Sequence, residues 1–319
     1  MEYAIGIDLG GTNLRLARVS PEGGISSRRR LLTARFASTP ELVAGIARET
    51  TALIREAENS GSSVLGVGIG VPGGVDPAGE TVYFLTNFPG GGDDIPLRRL
   101  LEEKIRRPVR VGNDAKLWAF GEGWLGAGRG KQNFLLVTLG TGVGGGIIID
   151  GRIYGGHAGI AGEVGHITIE PEGAPCGCGS RGCLETIASA GGFVRLARER
   201  LAQGQPSLLS QSDEFQPLSA LNVSRAAERG DPVGLSVLEK VGRALGIGLS
   251  VLINVLNPEI IILGGGVAAA RELFTPHLVE EIKLRAFSRK GKETPVVPPQ
   301  LGEDAGILGA ARLIFNAEY

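Results

Sequence analysis

The three cysteines of the chain, Cys176, Cys178 and Cys183, all fall inside residues 176–183, and His166 precedes them. The spacing is His-x9-Cys-x-Cys-x4-Cys. Three thiolates and one imidazole make a four-ligand set of the kind that structural zinc takes, tetrahedral and rich in sulfur. Pro171 and Pro175 stiffen the intervening turn, and Gly173, Gly177, Gly179 and Gly182 let it fold tightly around a small ion. Two plainer readings compete: buried free thiols, or one disulfide with a thiol left over. An odd count, with no basic-headed leader, argues against a disulfide framework. Glu163 and Glu185 bracket the set without being needed as ligands, so carboxylates serve some other purpose there.

Glycine clusters end three apolar segments, at 10–12, 140–146 and 264–266. Backbone N–H groups in such loops can cradle phosphate oxygens, and Thr12 and Thr141 add hydroxyl donors. Each loop alone also reads as an ordinary turn. Asp8 stands two residues before the first. It suits Mg²⁺ held beside substrate phosphates, or it simply caps the turn. Asp114 follows a short strand and opens a helix. It reads either as an acid favoured by the helix dipole or as a general base taking the proton of an attacking hydroxyl.

The chain that must position these groups has 319 residues, 42% hydrophobic and 21% charged, with 52 glycines and a net charge of -1. That is the balance of a globular protein of about two domains, and it offers no polyanion a basic face. No apolar run reaches the length of a membrane span. The opening MEYAIGIDLGG reads as a strand and lacks the basic region of a signal peptide, so the cytoplasm is the expected location. Strands are expected over 4–9, 14–19, 25–32, 64–70 and 109–111, with helices over 39–58, 96–105 and 115–124. A second strand, glycine loop and return strand (134–139, 140–146, 147–150) repeats the opening and suggests a duplicated α/β unit. The glycines in both copies are followed by a strand, not a helix, unlike P-loops and dinucleotide fingerprints. Helices over 190–201, 224–229, 232–256 and 306–316 and strands over 260–263 and 296–297 complete the reading. Residues 203–219 read as a polar surface connection.

The motifs Asp8-Leu-Gly-Gly-Thr-Asn13, Gly70-x-Pro-Gly-Gly-Val-Asp76, Asn113-Asp114-Ala115, Gly140-Thr-Gly-Val-Gly-Gly-Gly146, Glu163-Val-Gly-His166 and Cys176-x-Cys-Gly-x-x-Gly-Cys-x-Glu185 occur in that order. Together they resemble the ROK family (repressor, open reading frame, kinase), on its glucokinase-like branch, over nearly the whole chain.

The resemblance implies the actin-like, ribonuclease-H-like ATPase duplication, an α/β fold with two lobes around a central cleft. The N-terminal lobe is expected over 1–112, completed by the C-terminal helix 305–319. The C-terminal lobe, over 113–304, would carry the zinc loop and most of the sugar site. Asp114 would be the base. Asn87, Asn113, Asp114, Glu163, His166 and Glu185 would hold sugar hydroxyls, whose donors and acceptors match amides and carboxylates. Asp8, Gly10, Gly11, Thr12, Asn13, Thr141, Gly142, Gly144 and Gly145 would serve ATP phosphates and Mg²⁺, with Gly265 near the nucleoside. His166, Cys176, Cys178 and Cys183 would bind structural zinc. Lys116 stands where the family often has Asn, and Gly91 where the sugar loop often has Trp.

The expected activity is ATP-dependent phosphorylation of a hexose at its 6-hydroxyl, with glucose the leading candidate. The expected partners are sugar and ATP, with no nucleic acid and no membrane, and the expected assembly is a homodimer or homotetramer. An N-acetylmannosamine kinase shares every motif quoted. A non-catalytic sugar-binding regulator on the same fold is the rival class. The intact Asp114, and a first strand that starts by Tyr3 with no helix-turn-helix before it, favour the kinase. A filament-forming or chaperone ATPase of the actin type is a third class, for which the module over 163–185 is an unexpected feature.

Overall fold

The computed structural model describes residues 1–85 and 92–316. It forms two compact units, one of Met1–Leu136, Gly146–Gly162 and Pro299–Tyr319, the other of Val137–Gly145 and Glu163–Pro298.

The first unit is built on strands β1 (Glu2–Leu9), β2 (Asn13–Val19) and β3 (Ile25–Leu32), an antiparallel meander. Helix α1 (Thr39–Asn59) leads to β4 (Ser63–Val71), parallel to β1. A short antiparallel pair, β5 (Val82–Phe84) and β6 (Asp93–Ile95), and helix α2 (Leu97–Ile105) precede β7 (Val109–Asn113), parallel to β4. Helix α3 (Asp114–Leu125) follows directly. The sheet order is β3-β2-β1-β4-β7.

The alternation of β1 explains its place. Ile5, Ile7 and Leu9 join the core that contains Leu42, Ile46, Leu53 and Ala57 of α1, while Ala4 packs with the C-terminal segment at Ile307, Leu308 and Ala311. Asp8 shares the parity of Ala4 and Gly6, so it faces that second side. Ser38 caps α1 by accepting from the Glu41 amide, and the Glu41 carboxylate accepts from the Ala37 amide at 2.9 Å.

The second sheet begins with β8 (Phe134–Leu139), β9 (Val143–Ile149) and β10 (Arg152–Ile153). After the cysteine loop come α4 (Leu184–Ala188), α5 (Ala190–Ala202), α6 (Leu208–Gln211), α7 (Ala220–Glu228) and α8 (Pro232–Leu256). Then β11 (Ile260–Gly264), α9 (Arg271–Arg285), α10 (Arg289–Lys292) and β12 (Val296–Val297) close the second unit, and α11 (Ala305–Phe315) belongs to the first. The order is β10-β9-β8-β11-β12. Numbered within each sheet, both read 3-2-1-4-5, the mark of a duplicated α/β plan. Gly242 and Gly246 leave α8 no Cβ where the Phe274 and Leu278 carbonyls of α9 approach.

Three features differ from the sequence expectation. The return strand starts at Val143, not 147, because glycines 144–146 continue as extended chain. Gly146 is needed there, since a Cβ would meet Ala115 and Ala119 of α3. Residues 203–219 are not simply a surface connection. Leu209 and Phe215 are fully buried, and Asp231 accepts from the Ser207 hydroxyl at 3.0 Å and the Leu208 amide at 2.7 Å. Isolated apolar residues in a short irregular stretch give no period to read. Finally, α3 and residues 146–162 group with the first unit, whereas the expected lobe division ran at 112/113. Helix α3 packs on α11, where a Cβ on Gly121 or Gly309 would collide with the facing backbone. Among the described residues no helix is long and apolar enough to cross a membrane.

Candidate functional site

In the second unit the cysteine loop folds back on itself. The Cys176 amide donates to the Ser180 carbonyl at 2.8 Å, and the Leu184 amide donates to the Ile167 carbonyl at 2.9 Å. Gly182, at φ 63°, sits where any side chain would collide with the Glu170 carbonyl. These turns bring one ligand atom each from His166, Cys176, Cys178 and Cys183 within 4.8 Å of one another. Cys176 Sγ lies 3.6 Å from His166 Nδ1, and Cys178 Sγ lies 3.7 Å from Cys183 Sγ. A tetrahedron with Zn–S bonds of about 2.3 Å has edges of about 3.8 Å, so the set fits a zinc-sized ion. All three cysteines are free. Burial pushes the Cys183 thiol up to about 12, so a metal that takes its thiolate must displace a tightly held proton.

The same loop carries the two carboxylates. Glu163 precedes the 3₁₀ turn Val164–His166, and its carbonyl accepts from the His166 amide at 3.1 Å. Glu185 lies in the first turn of α4, and its Oε2 accepts from the Val143 amide at 3.0 Å. It lies directly over Gly142, where a Cβ would press on that oxygen. Gly165 in turn packs against the Val143 carbonyl. Glu185 thus stands over the loop of Thr141 and Gly142, and the turn of Glu163 and His166 reaches its end through Gly165, while Gly144 and Gly145 lie within β9. A pocket of about 230 Å³ opens here, lined by Thr141, Cys176, Gly177, Glu185, Ser189 and Arg195. A second cavity of about 560 Å³, lined by Val194, Arg198, Leu218 and Ala220, shares Gly191 and Arg195 with it. Gly265, at φ 97°, packs against the Leu139 backbone at the end of β8, next to the glycine loop.

In the first unit the loop after β1 is closed by the Gly10 amide donating to the Asn13 carbonyl at 2.8 Å. Thr33 braces it, its hydroxyl donating to the Gly10 carbonyl at 2.8 Å and its amide to the Thr12 carbonyl at 2.9 Å. Asp8 is buried, with Arg15 Nη1 3.4 Å from Oδ2, and Arg15 Nη2 lies 2.9 Å from Glu303. Burial pushes the Asp8 carboxyl up to about 6, against the opposing pull of Arg15 and Trp118. In the sequence Arg15 is one charged residue of a strand and belongs to no motif. The signal that could have found it is the hairpin register, which sets Asp8 opposite Arg15.

Asn113 and Asp114 stand at the junction of β7 and α3. Asn113 is the helix cap: its Oδ1 accepts from the Lys116 amide at 3.1 Å, and its Nδ2 donates to the Gly73 carbonyl at 3.1 Å. Asp114 is half-buried in the first turn, with Oδ1 accepting from the Ala115 amide at 2.8 Å. Asn87 lies outside the described residues.

Residues 4–317 match the model of the ROK family. A glucokinase of Halalkalibacterium halodurans is 38% identical over 99% of this chain and 96% of its own length. A glucokinase of Thermotoga maritima is 36% identical over 97% and 96%. The crystal structure of a ROK family glucokinase from Streptomyces griseus, in complex with glucose and AMPPNP, superimposes with a TM-score of 0.81. It is 35% identical and covers 98% of both chains.

Proposed function

The chain belongs to the ROK family, with the actin-like ATPase fold of its glucokinases, and from that premise we propose that it is an ATP-dependent hexose kinase that phosphorylates glucose at the 6-hydroxyl. The supporting likeness is to glucokinases over nearly the full length of both chains, one of them holding glucose and an ATP analogue.

In this reading the Asp114 carboxylate takes the proton of the 6-hydroxyl as that oxygen attacks the γ-phosphorus, and the bond to ADP breaks. Asn113, Glu163, His166 and Glu185 orient the other hydroxyls, with Asn87 assigned the same task by sequence. Thr141 and Gly142, with Gly144 and Gly145 behind them, and the loop of Gly10, Gly11, Thr12 and Asn13 receive phosphates through backbone donors. The larger cavity adjoins the Thr141 pocket through Gly191 and Arg195 and has room for a nucleoside, and Gly265 packs on Leu139 beside the glycine loop. Asp8 is the carboxylate assigned to Mg²⁺, which when bound neutralises phosphate charge. His166, Cys176, Cys178 and Cys183 hold zinc, which fixes the imidazole so that its second nitrogen can face the sugar. A homodimer or homotetramer belongs to the same reading. It is supported by the exposed apolar side chains of Val255, Leu284 and Phe287, gathered around Asn254.

One observation carries the assignment of the base. The cap of α3 is made by Asn113, so capping does not account for the carboxylate of Asp114 in the first turn. Asp114→Asn keeps shape and removes the proton acceptor. Turnover should fall by roughly 10²–10⁴ while sugar affinity changes far less. A variant that phosphorylates glucose within a few-fold of the parent would remove Asp114 from the mechanism.

A further inference from the structure

Two places after Asp114 stands a lysine that is only 6% exposed. An ammonium stays in a protein interior only where its donors are met. Lys116 Nζ donates to the carbonyl of Gly159. Gly159 lies in the stretch between β10 and Glu163, where Gly156, Gly159 and Gly162 have φ of 68°, 76° and 96°. A segment with three left-handed glycines has many conformations open to it, so packing must select one.

The segment closes on itself through the Ala161 amide, which donates to the Gly155 carbonyl at 2.9 Å. From outside it, one tie is the Lys116 bond. Another is the approach of Gly159 to the loop over 71–76, where a Cβ would collide with the Val75 carbonyl. Gly74 of that loop also lies close to Ile160. The 71–76 loop is itself held from the start of α3, because Asn113 Nδ2 donates to the Gly73 carbonyl at 3.1 Å. The helix start thus holds two loops, through Asn113 just before Asp114 and Lys116 just after it, each by one backbone carbonyl. The loops then pack on each other.

We infer that Lys116 is a positioning residue for phosphoryl transfer: through the Gly159 carbonyl it fixes the 155–161 loop against the 71–76 loop, next to the helix turn that carries Asp114. The residue itself touches neither sugar nor phosphate in this account. It acts by choosing one conformation for a glycine-rich segment that runs directly into Glu163. Its part in catalysis rests on the reading of Asp114 as the base; its hold on the loop does not.

The test is Lys116→Met in the full-length protein, which keeps the length of the side chain and removes the ammonium. The expected result is a folded protein with a glucose KM raised roughly ten- to a hundredfold, while the ATP KM stays within about twofold. Backbone amides over 155–161 should exchange about tenfold faster, with α1 unchanged. Uniform loss of stability would move α1 and the loop together and would not separate the two KM values. A glucose KM and loop exchange equal to the parent's overturn the inference. Should Lys116→Met fail to fold, Gly159→Ala carries the test, since it breaks the same loop contact and leaves the lysine in place. It should reproduce the KM split, and a parent-like result overturns the inference. If both variants fail to fold, Lys116 is a folding residue and the inference is wrong. Asp114→Asn run alongside separates the two ideas: full turnover there removes the base, while the loop exchange of Lys116→Met is read independently of it.

Discussion

The two glycine loops occupy the same place in the two sheets, after the first strand of each, yet they are furnished differently. β1 ends Asp8-Leu9 before Gly10, and β8 ends Thr138-Leu139 before Gly140. Each loop is closed by one backbone bond, from the Gly10 amide to the Asn13 carbonyl at 2.8 Å and from the Gly140 amide to the Gly142 carbonyl at 2.9 Å. The first loop has its carboxylate in the strand itself. At the second, Thr138 stands in that place, and the carboxylate arrives from Glu185 at the far end of the cysteine loop. Duplication explains the shared backbone. The difference is that the carboxylate at the second loop is delivered by the cysteine segment, which makes that loop dependent on whatever folds residues 163–185.

That dependence gives the largest expected effect. Structural zinc contributes about 10–16 kcal/mol in small zinc domains, far more than one turn of hydrogen bonds. Stripping the metal with a chelator, or Cys183→Ser, should release the Val143 amide from Glu185 and abolish glucose phosphorylation. Amides over 163–185 and 140–143 should lose protection from exchange while those over 8–13 keep theirs. Metal content measured beside exchange checks this. Equal loss at both loops, or full activity in zinc-free protein, would break the comparison.

The sequence made the second half of this picture easier to read than the first. Cysteine and histidine are rare in the chain and clustered, and ligand number constrains them, so four residues sufficed to place the metal set. The strand and loop plan was legible from period two and from glycine. Arg15 was not, because its partner Asp8 lies seven residues away and is reached only across a hairpin register. Lys116 was visible as an oddity, but its partner Gly159 is 43 residues distant and offers only a carbonyl, which carries no sequence signal. Leu209 and Phe215 were hidden for want of any period. Helix boundaries with a cap and a proline, such as Asp231 and Pro232 at the start of α8, were read to the residue.

The next effect concerns the first loop and is one of pH. Burial raises the Asp8 carboxyl from 3.8 to about 6. Between those values the folded chain keeps a proton that the unfolded chain has shed, so this group's contribution to stability falls as pH rises through the window. By pH 7 it amounts to about 3 kcal/mol of destabilisation, carried to keep a carboxylate beside the loop. Asp8→Asn should therefore be more stable than the parent at pH 7.5, with the gain shrinking toward pH 4, and should be inactive. Denaturant midpoints at the two pH values check the sign. A variant less stable than the parent at pH 7.5 would mean that the Arg15 pair outweighs burial, and that the strand acid is structural.

The smallest effect compares the two helix starts beside the loops. Asn113 caps α3, and Ser189 caps α5 with its hydroxyl accepting from the Gly192 amide at 3.2 Å. Asn113 also holds the 71–76 loop, whereas the tie between α5 and the second glycine loop is made by backbone, from the Ala190 amide to the Gly140 carbonyl at 2.8 Å. Ser189→Ala removes the cap and leaves that tie. It should weaken the first turn of α5 by about 1 kcal/mol, read as roughly fivefold faster exchange of the Gly192 and Phe193 amides. The ATP KM should stay within about twofold, because the glycine loop is still anchored. Asn113→Ala, by contrast, loses cap and loop contact together and should raise the glucose KM as well. If Ser189→Ala instead raises the ATP KM tenfold, the hydroxyl serves the pocket it lines, and the second helix start is as much a part of the site as the first.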